Sequence, residues 1–575
     1  MSGADDFQAA LDFQREYDAE PWEIFRCCLL RTLMSFDGRP AEDGGADAIP
    51  DLASAPPEIS ADGLVWTFSI REGIHYSPPL QDVQVVAADF VRALQREANF
   101  SEARYSVTGG YPEYYSVIQG FDDVREGRAT GISGLETPDD HTLIVRLTQP
   151  SGELGYRFAM PATAPIPADP TDTLAPYGIA TGHDHNEGRF LVGTGPYMIE
   201  GTGDLDLTRP ATEQTPVAGF VPGTSLTLVR NPSWDAASDP LRAAYSDRME
   251  FTISPARVDD HMREQWVHDT ESRKTDMVFD AFQQVPDKDV ARYRNDPTLV
   301  PYLHVDTQDW IRSLTMNVAA PPFDDIHVRR AANLVIDKRA ILRRASIDSI
   351  ATHIGLDSEE GSLLLGFDPY PHDLARARHE MALSHYDHQG DGRCDDVSCR
   401  SVKACLLSDF ANPIQKDLHT IGIDLDLGVD CETSPPTSPA SHVALAWLGW
   451  GTDYPDGSQI LDQLFSGANI PDSGNFQLSL LGASPTQLGG WGYTVTHVPS
   501  VDGDINHCGT LVGNLQEQCW AELDQRLMLK VVPWIPLLRI NVARIVSSRV
   551  TSWSFDAFTR MPALDRISIA DATDP

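Results

Sequence analysis

Residues 444–456 read ALAWLGWGTDYPD, an apolar stretch that runs into two tryptophans and then into Gly451-Thr452-Asp453-Tyr454-Pro455-Asp456. Apolar residues followed by a Gly/Asp/Pro cluster predict a buried strand closed by a turn. Aromatic faces beside a fixed carboxylate at a strand end make a ligand wall, with flat surfaces for packing and a charge for a cation. A carboxylate facing an ammonium group forms a charge-assisted hydrogen bond stronger than a neutral one. Core tryptophans with a turn-forming Asp would give the same letters, so this segment alone leaves both readings open.

Outward from it, strand-like and helix-like segments alternate. Residues 64–70 (LVWTFSI), 142–147 (TLIVRL) and 225–229 read as strands, the second preceded by an Asp-Asp turn. Residues 22–33, 87–98 and 325–343 carry apolar side chains at helical spacing, and Asp325 is placed to cap the last of these. The Pro-rich stretches 161–176 and 435–439 read as surface connectors. There is no internal repeat, and the pattern is that of a mixed α/β chain with several sheets.

Its 575 residues allow three or four units at roughly 100–200 residues each. A hydrophobic share of 41% excludes wholesale disorder. The balance of 44 Lys+Arg against 84 Asp+Glu gives a formal net charge of −40. Such a surface repels phosphate backbones and anionic headgroups, so nucleic-acid and membrane-surface binding are disfavoured. No run approaches the 18 apolar residues that a membrane span needs. The start, Met1-Ser2-Gly3-Ala4-Asp5-Asp6, lacks the basic and apolar regions of a signal peptide. That leaves a cytosolic protein, or one whose leader or anchor lies outside this chain.

Eight cysteines are present. Cys27 and Cys28, adjacent on a helical pattern, are expected to be buried thiols. Cys508 with Cys519 and Cys394 with Cys399 flank short loops, and loop disulfides are favoured there over zinc, because Cys-x4-Cys-x5-Cys is not the usual pair of close knuckles. Disulfides point to an oxidising compartment.

A search for catalytic constellations comes back nearly empty. Gly193-Thr194-Gly195 lacks the third glycine of a dinucleotide fingerprint and is followed by Pro196, so it is a turn. His379-Glu380 and His385 resemble a zincin helix, but six residues rotate about 240° round a helix, so the rings cannot share a metal. His183 and His185 alternate in an extended loop and could share a face. Asp387, Gln389, Asp391, Gly392 and Asp395 resemble half a calcium loop, but Ser398 stands where the bidentate acid belongs. The expectation is no catalytic residue, no resident metal and no cofactor.

Further strings accompany the opening segment. In order come Asp62-Gly63 with Trp66-Thr67-Phe68 and Ile70-Arg71-Glu72-Gly73, then Val86-Ala87-Ala88-Asp89-Phe90-Val91, then VGTGPY at 192–197. Leu228-Val229-Arg230-Asn231-Pro232 with Trp234 and Thr275-Asp276-Met277 follow. Met316-Asn317 and Pro322-Phe323-Asp324-Asp325 then lead into Val328-Arg329-Arg330-Ala331 and Ile336-Asp337-Lys338. With Gly449-Trp450-Gly451-Thr452-Asp453-Tyr454 these make seven strings, and their order resembles the extracytoplasmic solute-binding proteins of peptide-type ABC transporters, the dipeptide/oligopeptide-binding family 5. The chain departs from that pattern at His75-Tyr76-Ser77-Pro78-Pro79, which loses a turn glycine, and over residues 477–518, which look longer than usual. The family's leader and lipid-anchor cysteine are absent from this chain.

The resemblance implies an α/β, two-lobed periplasmic-binding-protein-like fold (type II, cluster C) with an extra domain inserted in lobe one. Lobe one is expected at 1–48, 187–300 and 541–575, the inserted domain at 49–186, and lobe two at 301–540. It implies a non-enzymatic substrate-binding component of an ABC importer, which binds a short peptide in an interlobe cleft and delivers it to membrane permease and ATPase subunits. The expected protein is a monomer, located in the periplasm or at the cell surface. Carried over residue by residue, the acid that pairs with the peptide's α-amino group is Asp453, with Trp450 at the adjoining wall; Trp447 and Tyr454 follow as neighbours. Relatives on the same scaffold bind nickel chelates, haem, oligosaccharides or opines. The fold also serves as a ligand-sensing domain of regulatory systems, which could be cytoplasmic. A hydrolase is disfavoured by the lack of a nucleophile–base pair.

Overall fold

The computed structural model describes residues 11–98, 112–170, 173, 177, 190–206, 209, 213, 217–253, 259–280, 285–345, 347–356, 358–359, 363–429, 431, 438–470 and 477–570. The chain divides into two compact units, one of residues 1–304 with 543–575 and one of 305–542. Two long strands, Leu303–Met316 and Trp534–Ile545, carry the chain across the boundary.

In the first unit, strands Glu58–Ile59, Val65–Ser69, Thr142–Arg146 and Leu135–Asp139 form a four-stranded antiparallel sheet in that order. Val65–Ser69 and Thr142–Arg146 bury alternate residues (Trp66, Phe68, Leu143, Val145), as the alternating sequence predicts. Helix Ala87–Ala98 buries Phe90, Ala93, Leu94 and Ala98 at helical spacing. A second sheet orders Arg248–Thr252, Ser225–Arg230 and Tyr197–Ile199, with Phe220–Val221 also paired to the middle strand.

Three expectations are corrected in this unit. The helix read over 22–33 is shorter: an α-helix Ala19–Ile24 widens into a π-turn at Phe25–Leu29, and Leu30 is already extended. Cys27 and Cys28 are fully buried, as read, but they are joined to each other in a disulfide rather than being thiols. Residues 161–167, read as a surface connector, are buried, because Thr163 and Ile166 pack inward and their backbone groups find partners such as Asp89 O for Ile166 N at 3.1 Å.

VGTGPY earns its glycines here. A Cβ on Gly193 would sit 1.9 Å from the Leu29 carbonyl oxygen, and one on Gly195 2.4 Å from that of Cys28. Close approach of two backbones, sealed by Gly195 N–H donating to Leu29 O at 3.0 Å, demands glycine at both places.

In the second unit a six-stranded mixed sheet runs in the order Ser349–Ile350, Trp534–Ile545, Leu303–Met316, Leu445–Gly451, Val402–Cys405, Leu425–Asp426. The 445–451 strand is antiparallel to 303–316 and parallel to 402–405. The helix read over 325–343 is two helices, Ile326–Val335 and Lys338–Leu342. Asp325 caps the first by accepting from His327 N at 2.8 Å, as expected, while Asp337 interrupts the pattern to cap the second by accepting from Arg339 N at 3.0 Å. Cys394–Cys399, Cys405–Cys431 and Cys508–Cys519 are bonded, so those sulfurs are not zinc ligands.

Candidate ligand-binding site

The 445–451 strand is held in register from end to end on one side: Leu445 faces Met316, Trp447 faces Leu314, Gly449 faces Arg312 and Gly451 faces Trp310. On its other side the 402–405 strand pairs only at Leu445 and Ala446. The segment Trp447–Gly451 therefore continues past the end of its parallel neighbour and arrives at the Thr452–Asp456 turn.

That turn is fixed by the helix that follows it, Ser458–Phe465. The indole N–H of Trp450 donates to Gln459 O at 2.9 Å, and Asp453 N–H donates to Gln459 Oε1 at 3.3 Å. Asp456 Oδ1 accepts from Ser458 N at 2.9 Å, and Gln459 N donates back to Asp456 O at 2.9 Å. One glutamine thus ties both the tryptophan and the carboxylate-bearing residue to a helix whose inner face, Ile460, Leu461, Leu464 and Phe465, is buried in the core.

The four residues singled out in the sequence are brought to one strand and its turn, in different environments. Asp453 and Trp450 are half-buried at the strand end. Trp447 stacks on Phe410 of helix Ser408–His419, with ring centroids 4.8 Å apart and planes 20° off parallel. Tyr454 is 1% exposed, so its ring backs the turn. Alternation places Trp447 and Gly449 on one face, and Ala446, Leu448 and Trp450 on the other.

Two contributors are not visible in the strand's own sequence. Trp310 lies across Gly449, where an added Cβ would meet its Nε1 at 2.9 Å, so the glycine makes room for a third tryptophan beside the turn. Gln459 acts through backbone and amide atoms that no motif marks. Long-range strand pairing exposes Trp310, which lies opposite Gly451, whereas Gln459 is brought back by the turn itself.

The other chemical candidates do not assemble. His183 and His185 lie outside the described residues. Helix Leu374–Ala382 ends before His385, so the zincin-like residues are not on one helix. The Asp387 carboxylate is saturated by the backbone N–H groups of Gly390 and Gly392 at 2.6 and 2.7 Å, as a polar turn requires. Among the described residues no group of three or more His, Cys, Asp or Glu is arranged to hold a metal ion. No described helix is long and apolar enough to cross a membrane.

Comparison with known proteins shows the family and the fold. Residues 47–472 match the family described as bacterial extracellular solute-binding proteins, family 5. The chain is similar to the periplasmic oligopeptide-binding protein OppA of Salmonella typhimurium, 25% identical over 49% of this chain and 44% of that protein, so the match spans under half of OppA. It is similar to the glutathione-binding protein GsiB of Salmonella typhi, 24% identical over 88% of this chain and 82% of that protein. Among solved structures, the clavulanic acid biosynthesis oligopeptide binding protein 2 superposes with a TM-score of 0.75 at 24% identity, covering 98% of this chain and 94% of the other. The fold is the two-lobed, mixed α/β fold of periplasmic binding proteins. This chain belongs to the bacterial extracellular solute-binding proteins, family 5.

Proposed function

We propose that this protein is the substrate-binding component of an ABC importer, and that it holds a short peptide by its free amino end at Asp453. The observation that carries the reading is the double tie of the Trp450 indole and the Asp453 backbone to Gln459, which fixes an acidic residue, half-buried, at the end of a strand whose outer side is unmatched by its parallel neighbour. A peptide laid along Trp447–Gly451 would satisfy strand backbone groups, as in β-strand addition, while its ammonium meets Asp453. The relatives named as oligopeptide- and glutathione-binding proteins support peptide cargo.

On this reading the protein is not an enzyme. It works outside the cytoplasm as a monomer, and passes its cargo to permease and ATPase subunits. Four disulfides suit that location. We also assign residues 49–186, which contain the sheet of Glu58–Ile59 through Thr142–Arg146, to the inserted domain.

Native mass spectrometry of the purified protein, followed by denaturation and sequencing of whatever is released, tests the proposal. Short peptides that are present in the native protein and lost from Asp453→Ala support it. A released metal chelate, haem or sugar would overturn the cargo.

A further inference from the structure

The bond between the two adjacent cysteines of the first unit involves none of the residues assigned to the ligand. Cys27 and Cys28 are joined to each other, and both are 0% exposed. They sit in an apolar cluster with Phe25, Leu29, Tyr197 and Leu228, and the Cys28 sulfur lies 3.9 Å from that of Met249. A disulfide stabilises a chain by closing a loop, and this one closes the shortest loop there is, where that gain is smallest. Its value therefore comes from the backbone it shapes.

Residues 22–33 carry the apolar spacing of one continuous helix. Neighbouring side chains of an α-helix point about 100° apart, so a bond between consecutive cysteines works against that continuation. The α-helix stops at Ile24, and the wider turn Phe25–Leu29 holds both cysteines. An α-helix would commit Arg26 O to the Leu30 N–H and Leu29 O to the Leu33 N–H. Instead Leu30 N–H donates to Phe25 O at 2.9 Å, the longer reach of a π-turn. Arg26 O is thereby released, and Arg242 Nε donates to it at 2.6 Å. Leu29 O accepts from Gly195 N at 3.0 Å, and a Cβ on Gly195 would lie 2.4 Å from Cys28 O. Two distant segments thus dock on carbonyl groups that the π-turn presents and a continued helix would not.

Burial also fixes when the bond can form. Oxidation joins the two sulfurs as two protons and two electrons leave the thiols, and an external disulfide accepts them and departs as two thiols. Reversal needs a thiolate to reach one of the sulfurs, and sulfurs without exposed surface are out of reach. The first unit has no third cysteine to attack from within. We propose that the Cys27–Cys28 ring is a redox gate on the first unit: oxidation before closure sets the π-turn on which Gly195 and Arg242 dock, and closure then locks the ring against reduction.

Thiol labelling and hydrogen exchange of the whole chain, both read by mass spectrometry, test the gate. With dithiothreitol and iodoacetamide, Cys27 and Cys28 of the oxidised protein should be labelled at least about 100-fold faster in unfolding urea than in its absence. Equal rates would overturn the lock. Cys27→Ala, Cys28→Ala and the double variant should each lower exchange protection around Gly195 by the same factor, at least about tenfold, because any one of them opens the ring. Protection in the second unit should stay unchanged. Factors that multiply in the double variant would reduce the effect to lost sulfur packing, and full protection in all three would show that the turn forms without the ring; either result overturns the gate. The labelling comparison uses the unaltered chain, so it stands even where a variant folds poorly.

Discussion

In the first unit the Arg26 guanidinium, 1% exposed, lies among Glu23, Asp556 and Asp565, and Arg31 and Arg242 share the buried Asp51 at 2.7 and 2.8 Å. The second unit buries a larger apolar cluster, from Ile311 to Leu538, than the one the first unit builds around Phe25 and Leu228, and ties its loops with three disulfides. The first unit is assembled from chain segments hundreds of residues apart, as Arg26 and Asp565 illustrate. Apolar surfaces are poor at telling one such segment from another, whereas a buried charge accepts only a matching partner. The second unit is continuous in sequence, and apolar burial supplies most of its core. Burial above all pushes the Glu23 carboxyl well above its usual range against the pull of Arg26, and the neighbouring Asp556 and Asp565 add to the rise.

The largest effect expected from breaking this contrast is that of Arg26→Met. It would leave three buried carboxylates facing one another and should cost about 3–5 kcal/mol. Urea unfolding should show the loss in the first unit alone. Next, removing the Cys405–Cys431 bridge as a double alanine variant should cost about 3 kcal/mol, from a sequence separation of 26, and the loss should fall on the second unit. Equal losses in both units from either change would dissolve the contrast.

The third effect concerns a buried cation in the second unit. Lys338, fully desolvated apart from its donation to Ala351 O at 2.9 Å, has its pKa lowered by burial to about 8. The unfolded chain binds this proton more tightly, so between pH 8 and the usual lysine range the folded state gains relative stability as pH rises. Stability of the native protein relative to Lys338→Met should therefore be flat below pH 8 and climb above it, by on the order of 2 kcal/mol at pH 10. A difference that does not change with pH would show that the ammonium is solvated. The smallest effect is Gly449→Ala, which displaces the Trp310 indole and should cost about 1–2 kcal/mol while weakening ligand binding.

Much of this architecture is legible in the sequence. The helix Ala87–Ala98, the strands Thr142–Arg146 and Ser225–Arg230 and the Asp325 cap follow from local periodicity and turn chemistry. Part of what failed was non-local. Proline-rich residues 161–167 look like a connector, yet tertiary packing buries them. Cys27 and Cys28 read as thiols because adjacent cysteines rarely suggest a ring, and the π-turn that accommodates them leaves no mark in composition. At the candidate site the sequence named Asp453 and Trp450. It could not name Trp310, which strand register brings opposite Gly451, or Gln459, whose role arises only when the turn folds the following helix back onto Trp450 and Asp453.

Titration of the protein with tetraalanine, and with the same peptide acetylated at its amino end, tests the central claim most directly. If Asp453 anchors the ligand's ammonium, acetylation should weaken binding about 100-fold in the native protein, and Asp453→Asn should remove most of that difference. Equal affinities for the free and acetylated peptides in the native protein would contradict the account.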